Sequence, residues 1–242
     1  MKNFNFIFIF FLLISCSEKE SNLKVSGNIE GLKEGTLYLQ KLQDTLLVNV
    51  DSIKIKGDAN FILEGYIKSP QIMYLYLANV DNVTFDDRIE FFAEEGEVII
   101  NTKLKSFATE AEVKGSANQQ KLQEYRDMMS RFNDKNLELI QKNFQAQKDQ
   151  NEELLVEVNQ EYESLLKRKY LYTVNFAINN KDLEIAPYLA LAEVFDANIK
   201  YLDTIYNSMT PQVQKSKYGK DLKEFLKLRR KNEKLLEKVE EQ

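Results

Sequence analysis

The chain has 242 residues, with 33 basic side chains, 38 acidic side chains and no histidine. The absence of histidine excludes histidine-based triads, imidazole general bases and the commonest zinc ligands. The net charge of -5, with no basic domain, argues against nucleic-acid binding, because phosphate backbones require a positive footprint. No glycine-rich phosphate loop or G-x-S-x-G nucleophile elbow occurs, and no cofactor is predicted.

The first 15 residues are predicted to be a signal peptide. Lys2 supplies positive charge, Phe6 to Ile14 is an unbroken apolar run, and Ser15 precedes Cys16, the single cysteine. The run is shorter than the roughly 20 residues of a membrane-spanning helix. The segment resembles a bacterial lipoprotein signal, which implies cleavage before Cys16 and lipidation of its thiol. The alternatives are an ordinary signal peptide with a free thiol and an uncleaved signal anchor.

Residues 16–22 are predicted to form a solvated tether, because Ser17 to Asn22 contains no residue that would begin a core. This acidic segment resembles those that direct some Gram-negative lipoproteins to the outer face. We therefore expect a protein anchored to the outer membrane through Cys16, facing the periplasm or the cell surface. A second protein of the envelope is a further expected partner.

Glycine content divides the rest into a β domain (23–115) and an α-helical domain (116–242). Seven of the eight glycines lie at or before Gly115, and glycine-punctuated short segments are typical of strands and turns. Residues 16–115 carry 11 basic and 17 acidic groups, whereas residues 116–242 carry 21 of each. Strands are predicted at 23–29, 36–42, 46–55, 60–67, 72–78, 88–93, 97–101 and 107–114.

Two of these strands have informative patterns. Apolar and charged residues alternate from Phe107 to Lys114, which predicts a sheet with one solvated face, as antiparallel sheets commonly have. The segment from Ile72 to Leu77 lacks alternation, which predicts a central strand that is covered on both faces. The expected fold class is α+β, with an antiparallel β-sandwich or barrel-like domain followed by an α-helical domain.

The second half has the period of helices. Two long amphipathic helices are predicted, with a break at Asn179-Asn180, followed by helices at 187–195, 201–208 and 221–240. The last helix is expected to pack on the sheet through Phe225, Leu228 and Leu235. The positions that recur at three- and four-residue steps are Leu122, Tyr125, Met129, Phe132, Ile140 and Phe144 in the first long helix and Leu155, Val158, Tyr162, Leu165, Lys169 and Thr173 in the second.

Several motifs resemble a known family. They are Val25-x-Gly27, 36–40 (TLYLQ), Val50-Asp51-Ser52, Gly57-x-x-x-Phe61-x-x-x-Gly65, Pro70, 185–191 (IAPYLAL) and 216–220 (SKYGK). This pattern is similar to the β-rich N-terminal domain of unknown function, and the segments after it, in secreted lipoprotein relatives of TlpA-like (AhpC/TSA-type) thiol:disulfide oxidoreductases. Those relatives carry a thioredoxin-like domain with a Cys-x-x-Cys pair, because disulfide exchange needs two thiols. With one cysteine, the chain is not expected to have that activity.

Three further features are predicted to be structural. Asp81, Asp86 and Asp87 lie in one segment, interpreted as a solvated connection, because it lacks the spacing of a calcium loop; paired-carboxylate catalysis is the alternative. The segment 215–238 has ten basic and four acidic residues, interpreted as a helix face docked on the acidic β half, with membrane-surface contact as the alternative. Tyrosines such as Tyr74, Tyr76 and Tyr162 are assigned to core packing rather than carbohydrate stacking.

These observations predict a non-catalytic binding or interaction module with no catalytic residue and no metal ligand, and they leave its ligand-binding residues unknown. The main alternative is an accessory protein of an extracytoplasmic thiol:disulfide system that docks a separate thioredoxin-like partner. A remnant of a truncated catalytic protein is the third hypothesis.

Overall fold

The computed structural model describes residues 20–78 and 88–240, with side chains described up to residue 235. The strands are β1 (Leu23–Glu30), β2 (Glu34–Gln43), β3 (Leu46–Lys56), β4 (Asn60–Gly65), β5 (Gln71–Ala78), β6 (Arg88–Ala93), β7 (Gly96–Lys103) and β8 (Glu112–Lys114). The helices are α1 (Ala117–Lys148), α2 (Glu152–Asn179), α3 (Ile185–Ala192), α4 (Ile199–Ser208), α5 (Pro211–Lys215) and α6 (Lys217–Glu240). The predicted α+β class is confirmed.

The strands form a sandwich of two four-stranded sheets, ordered β4-β1-β7-β8 and β3-β2-β5-β6. Among the described strands, all pairs are antiparallel except β1 with β7, which is parallel. This pair explains the glycine of the Val25-x-Gly27 motif, because a Cβ on Gly27 would lie 1.8 Å from the carbonyl oxygen of Ile100. Apolar side chains from both sheets fill the space between them.

The eighth strand is shorter than predicted. Leu104–Ser106 form a 3₁₀ turn, and β8 contains only Glu112–Lys114, so the alternation that starts at Phe107 does not mark a strand there. The hydroxyl of Thr102 donates a hydrogen bond to the carbonyl oxygen of Phe107 at 2.8 Å. Such hydrogen bonds from a side chain to the backbone compete with the hydrogen bonds between strands, which explains why the strand predicted from Phe107 is shorter in the structure.

Strand β5 is central, as predicted. It pairs with β2 on one side and β6 on the other. Met73, Leu75 and Leu77 belong to the sandwich core, whereas Ile72 and Tyr74 pack against helices on the opposite face.

The interface between the sandwich and the helices is here called the joint, and it lies on the outer face of β5 and β6. Its buried members are Ile72, Phe92, Leu122, Tyr125, Met129, Ile185 and Leu189. Strand β6 is an edge of its sheet, and α1 supplies partners for its free backbone groups. The Phe92 N–H donates to Gln119 Oε1 at 2.8 Å, and Arg126 Nη1 donates to the Glu90 carbonyl oxygen at 3.3 Å.

The two long helices and the break at Asn179-Asn180 are confirmed, but the apolar stripe is not buried along its whole length. In the distal part of the hairpin formed by α1 and α2, Ile140, Phe144 and Tyr162 are 41%, 67% and 47% exposed. The assignment of Tyr162 to core packing is therefore wrong. In this part the buried apolar cluster contains residues of α1 and α2 alone, so among the described elements no third one covers the stripe.

The predicted docking of the last helix on the sheet is also corrected. Leu228 and Leu235 are 56% and 52% exposed, and Phe225 packs against a cluster formed by α2 to α6. Of the α6 side chains that are described, up to residue 235, the buried ones are Leu222 and Leu226, which belong to that same cluster. Contact with the sheet is made instead by Tyr218 in the first turn, whose hydroxyl accepts a hydrogen bond from the Ile72 N–H at 2.9 Å.

Candidate functional site: a lysine-lined cleft

A cleft of about 700 Å³ lies between the β domain and the α5–α6 turn. We call it the lysine cleft, because five lysines line it: Lys41, Lys68, Lys215, Lys217 and Lys220. The rest of the wall consists of Leu42, Gln43, Asp44, Tyr66, Ser69, Pro70, Gln71, Glu184, Gln212 and Ser216. The volume is within the range of about 300 to 1,000 Å³ that is usual for small-molecule sites.

The β-domain wall is held by Asn22, directly before β1. Its Nδ2 donates to the Ile67 carbonyl oxygen at 2.8 Å, and its Oδ1 accepts from the Ile67 N–H at 2.9 Å. The Asn22 N–H also donates to the Gly65 carbonyl oxygen at 3.1 Å. These bonds fix the path of the chain between β4 and β5, which carries Lys68 into the cleft wall.

The helical wall is fixed by the turn between α5 and α6. Ser216 Oγ donates to the Val213 carbonyl oxygen at 2.7 Å and accepts from the Gly219 N–H at 3.2 Å. A Cβ on Gly219 would lie 2.1 Å from the Val213 carbonyl oxygen, so the close approach requires glycine. The Lys217 N–H donates to Ser69 Oγ at 3.1 Å, which brings the two walls together.

The ring of Tyr218 anchors this wall in the joint. It meets Phe92 edge-on, with 6.0 Å between ring centroids, and packs against Tyr188 at 5.4 Å. Burial raises the pKa of the Tyr218 phenol well above its ordinary value, so the hydroxyl is protonated at neutral pH. The lysines next to Tyr218 are therefore positioned by a packed, uncharged side chain.

The cleft is positive although the protein is acidic. Five ammonium groups face two carboxylates, those of Asp44 and Glu184. Glu184 is 8% exposed and already accepts a hydrogen bond from Asn118 Nδ2 at 3.0 Å. Lys217 Nζ lies 3.8 Å from Asp221 Oδ2 and 4.5 Å from the Tyr218 ring centroid. The other four lysines form no ion pair with a described carboxylate.

This arrangement is suited to holding an anion. Each ammonium group is a compact point charge with three hydrogen-bond donors, and several together can surround a phosphate, sulfate or carboxylate group. The two serines of the wall are occupied by the backbone bonds given above, and no histidine or cysteine lines the cleft. The cleft therefore offers several cationic hydrogen-bond donors that can bind one anion together.

Cys16 and the Asp81, Asp86 and Asp87 segment lie outside the described residues. Within residues 20–78 and 88–240, no group of three or more His, Cys, Asp or Glu side chains is placed to hold a metal ion. No helix in the same part of the chain is long and apolar enough to cross a membrane.

A second surface lies on one face of the distal hairpin. A groove of about 250 Å³ between α1 and α2 is lined by Ile140, Phe144 and Tyr162, among others. The adjoining groove of about 120 Å³ contains Tyr162, Leu166 and Asn136, whose Oδ1 atom is buried without a hydrogen-bond partner.

The sequence identified part of the cleft. Lys215, Lys217 and Lys220 belong to the basic segment 215–238, and Tyr218 and Gly219 belong to the family motif at 216–220. Lys41 and Lys68 were missed, because each is a single charge in a short acidic domain. Only the packing of α6 against the loop before β5 brings them near the other three.

A family model matches part of the chain. Residues 23–122 match the model of a family described as a domain of unknown function (DUF4369). The match covers the whole β-sandwich and the start of α1. Searches of curated proteins and of solved structures found no match for the chain.

Proposed function

We propose that the protein is a lipid-anchored, extracytoplasmic binding module that binds an anionic ligand in the lysine cleft without catalysis. The observation that carries the proposal is the gathering of five lysines around one cleft in an acidic protein. Lysines at these positions repel one another, and nothing in the described fold neutralises four of them. A ligand with several negative charges would relieve this repulsion.

The anchor and location are part of the same proposal. The signal-like segment that ends at Ser15-Cys16 supports lipidation of Cys16, and the acidic residues after it support export to the outer membrane of a Gram-negative cell, facing the periplasm or the surface. The relationship to TlpA-like lipoproteins is supported by the sequence motifs from Val25-x-Gly27 to 216–220 (SKYGK). The accessory role in a redox system stays a prediction, because no surface of the described residues singles out a thioredoxin-like partner.

The binding proposal is tested by titrating the chain from Ser17 to Gln242, which keeps every described element, with pyrophosphate. Lysine side-chain NMR signals should shift for Lys68, Lys215 and Lys220 and stay in place for Lys54 and Lys56. Replacing Lys68 and Lys220 by glutamine should weaken binding at least tenfold, because each removes a charge-assisted hydrogen bond. The matched control, Lys54→Gln with Lys56→Gln, should bind like the wild type. Equal losses in the two variants would contradict a specific site.

The anchor is tested separately in cells that export the full chain. Cys16→Ala should release the protein from membranes or block its processing, because durable attachment depends on buried acyl chains. Intact-mass analysis of the wild type should show a lipidated Cys16 at the new N-terminus. An unmodified thiol there would overturn this part of the proposal.

A further inference from the structure

We infer that the lysine cleft faces the membrane and that its ligand is the anionic headgroup layer of the bilayer itself. This inference rests on the proposed function, because it assigns the anionic ligand of that same cleft. Three independent features lie at one end of the β-sandwich: the start of β1, the lysines of the cleft and a set of exposed leucines.

The first feature is where the tether joins the fold. Asn22 is hydrogen-bonded to Ile67, the neighbour in sequence of the cleft residue Lys68. The six steps of chain from Cys16 to Asn22 span at most about 20 Å, at roughly 3.3 to 3.6 Å per residue. A lipid on Cys16 would therefore keep this end of the sandwich, and the cleft with it, close to the bilayer.

The second feature is the tip of the β2–β3 hairpin, which we call the leucine tip. Leu42, Leu46 and Leu47 there are 46%, 70% and 38% exposed. Leu42 also lines the cleft, and Lys41 pairs with Met73 near the start of β5, which places the tip at the same end as the tether. Exposed aliphatic side chains next to lysines are the usual composition of a surface that enters the headgroup region.

The third feature is the charge itself. Lys41, Lys68, Lys215 and Lys220 form no ion pair with a described carboxylate, and anionic lipid attracts each lysine near its surface by an amount equivalent to about fivefold in affinity. The opposite end of the sandwich contrasts with this: a groove there is lined by Glu30, Glu110 and Glu112, and its one lysine, Lys103, forms an ion pair with Glu110 at 3.3 Å. A membrane-facing end with unpaired lysines and leucines thus differs in chemistry from the far end.

Vesicle binding tests the inference without the anchor. The chain from Ser17 to Gln242 should co-sediment with vesicles of phosphatidylglycerol and phosphatidylcholine, and bind vesicles of pure phosphatidylcholine much more weakly. Replacing Lys41, Lys68, Lys215 and Lys220 together by glutamine should lower binding at least tenfold. The charge-matched control replaces Lys33, Lys54, Lys56 and Lys105 by glutamine and should stay within about threefold of the wild type. Thermal melts of both variants verify folding.

A second readout reports which surface touches the lipid. The chain contains no tryptophan, so Leu46→Trp introduces a single reporter at the leucine tip. Its fluorescence should shift to the blue on anionic vesicles and be quenched by brominated lipid. Ile62→Trp, at a residue 55% exposed on β4, is the control and should show neither change.

The following outcomes would contradict the inference. Equal losses for the two sets of lysines, or equal quenching at positions 46 and 62, would overturn it. Binding of pyrophosphate or of polyglutamate without binding of anionic vesicles would also overturn it, while leaving the proposed anionic-ligand site intact. If the chain binds neither soluble anions nor anionic vesicles, both proposals are overturned.

Discussion

The two halves of the α1–α2 hairpin have the same amphipathic pattern and different surroundings. In the proximal half of α1, Leu122, Tyr125 and Met129 are buried in the joint against β5, β6 and α3. In the distal half, Ile140 and Phe144 are exposed, although they continue the pattern. The comparison teaches that helical periodicity identifies an apolar face, whereas a neighbouring element decides whether that face is buried.

Two phenylalanines, one in the joint and one in the distal hairpin, test this difference in burial most directly. Phe92 is fully buried in the joint, and its ring meets Tyr188 edge-on with 5.7 Å between centroids. Phe92→Ala should lower the free energy of unfolding by about 3 to 5 kcal/mol, because it leaves a cavity in a packed interface. Phe144→Ala, at a residue 67% exposed, should change it by less than about 0.5 kcal/mol. Urea denaturation measures both free energies of unfolding. Similar losses in the two variants would contradict the difference in burial between the two halves.

Two asparagines of α1 show the same difference between the proximal and distal halves for polar groups. Asn118 is fully buried: its Nδ2 donates to Glu94 Oε1 at 2.8 Å, and its Oδ1 accepts from the Ile185 N–H at 2.7 Å. Asn118→Leu should cost about 3 kcal/mol of unfolding free energy, because it leaves buried partners unpaired. Asn136→Leu should instead stabilise the chain by about 1 kcal/mol, because the buried Oδ1 atom there has no partner. A loss of stability in Asn136→Leu would contradict this assignment.

Alkaline pH should weaken the joint specifically. Burial raises the pKa of Tyr125, Tyr188 and Tyr218 above the ordinary value of 10.0. Below about pH 10 both folded and unfolded states hold these protons, and above it the unfolded state releases them first, so stability falls as pH rises. Each tyrosine should contribute a slope of about 1.4 kcal/mol per pH unit. Urea melts of Tyr188→Phe should show a slope shallower by that amount, and an unchanged slope would contradict its burial.

The smallest effect is expected in the second part of α6. Leu228 and Leu235 are more than half exposed, unlike Leu226 at 2%. Leu228→Ala should therefore change the free energy of unfolding by less than about 0.5 kcal/mol. A loss of 2 kcal/mol or more would show that another surface covers this face in solution, and analytical ultracentrifugation would then test for self-association.

The sequence by itself determined the order and type of most elements, although the short helix α5 was not predicted. Glycine positions located the change from strands to helices, and seven of the eight predicted strands were found within a few residues of their predicted bounds. These properties depend on local signals, since side-chain period and turn residues act over a few neighbours. The prediction of an eighth strand from Phe107 was wrong although it also used a local pattern. The bond from the Thr102 hydroxyl to the Phe107 carbonyl oxygen is local, but an alternating sequence pattern does not reveal it.

Only the tertiary structure decided which apolar faces are covered and where the charges meet. Ser69 and Lys217 are 148 positions apart in the chain, yet one hydrogen bond between them joins the two walls of the lysine cleft. Phe225 and Leu228 lie on one helix, but the cluster of α2 to α6 reaches only the first of them. Such outcomes depend on how whole elements pack, and packing is set by long-range contacts that no local period contains.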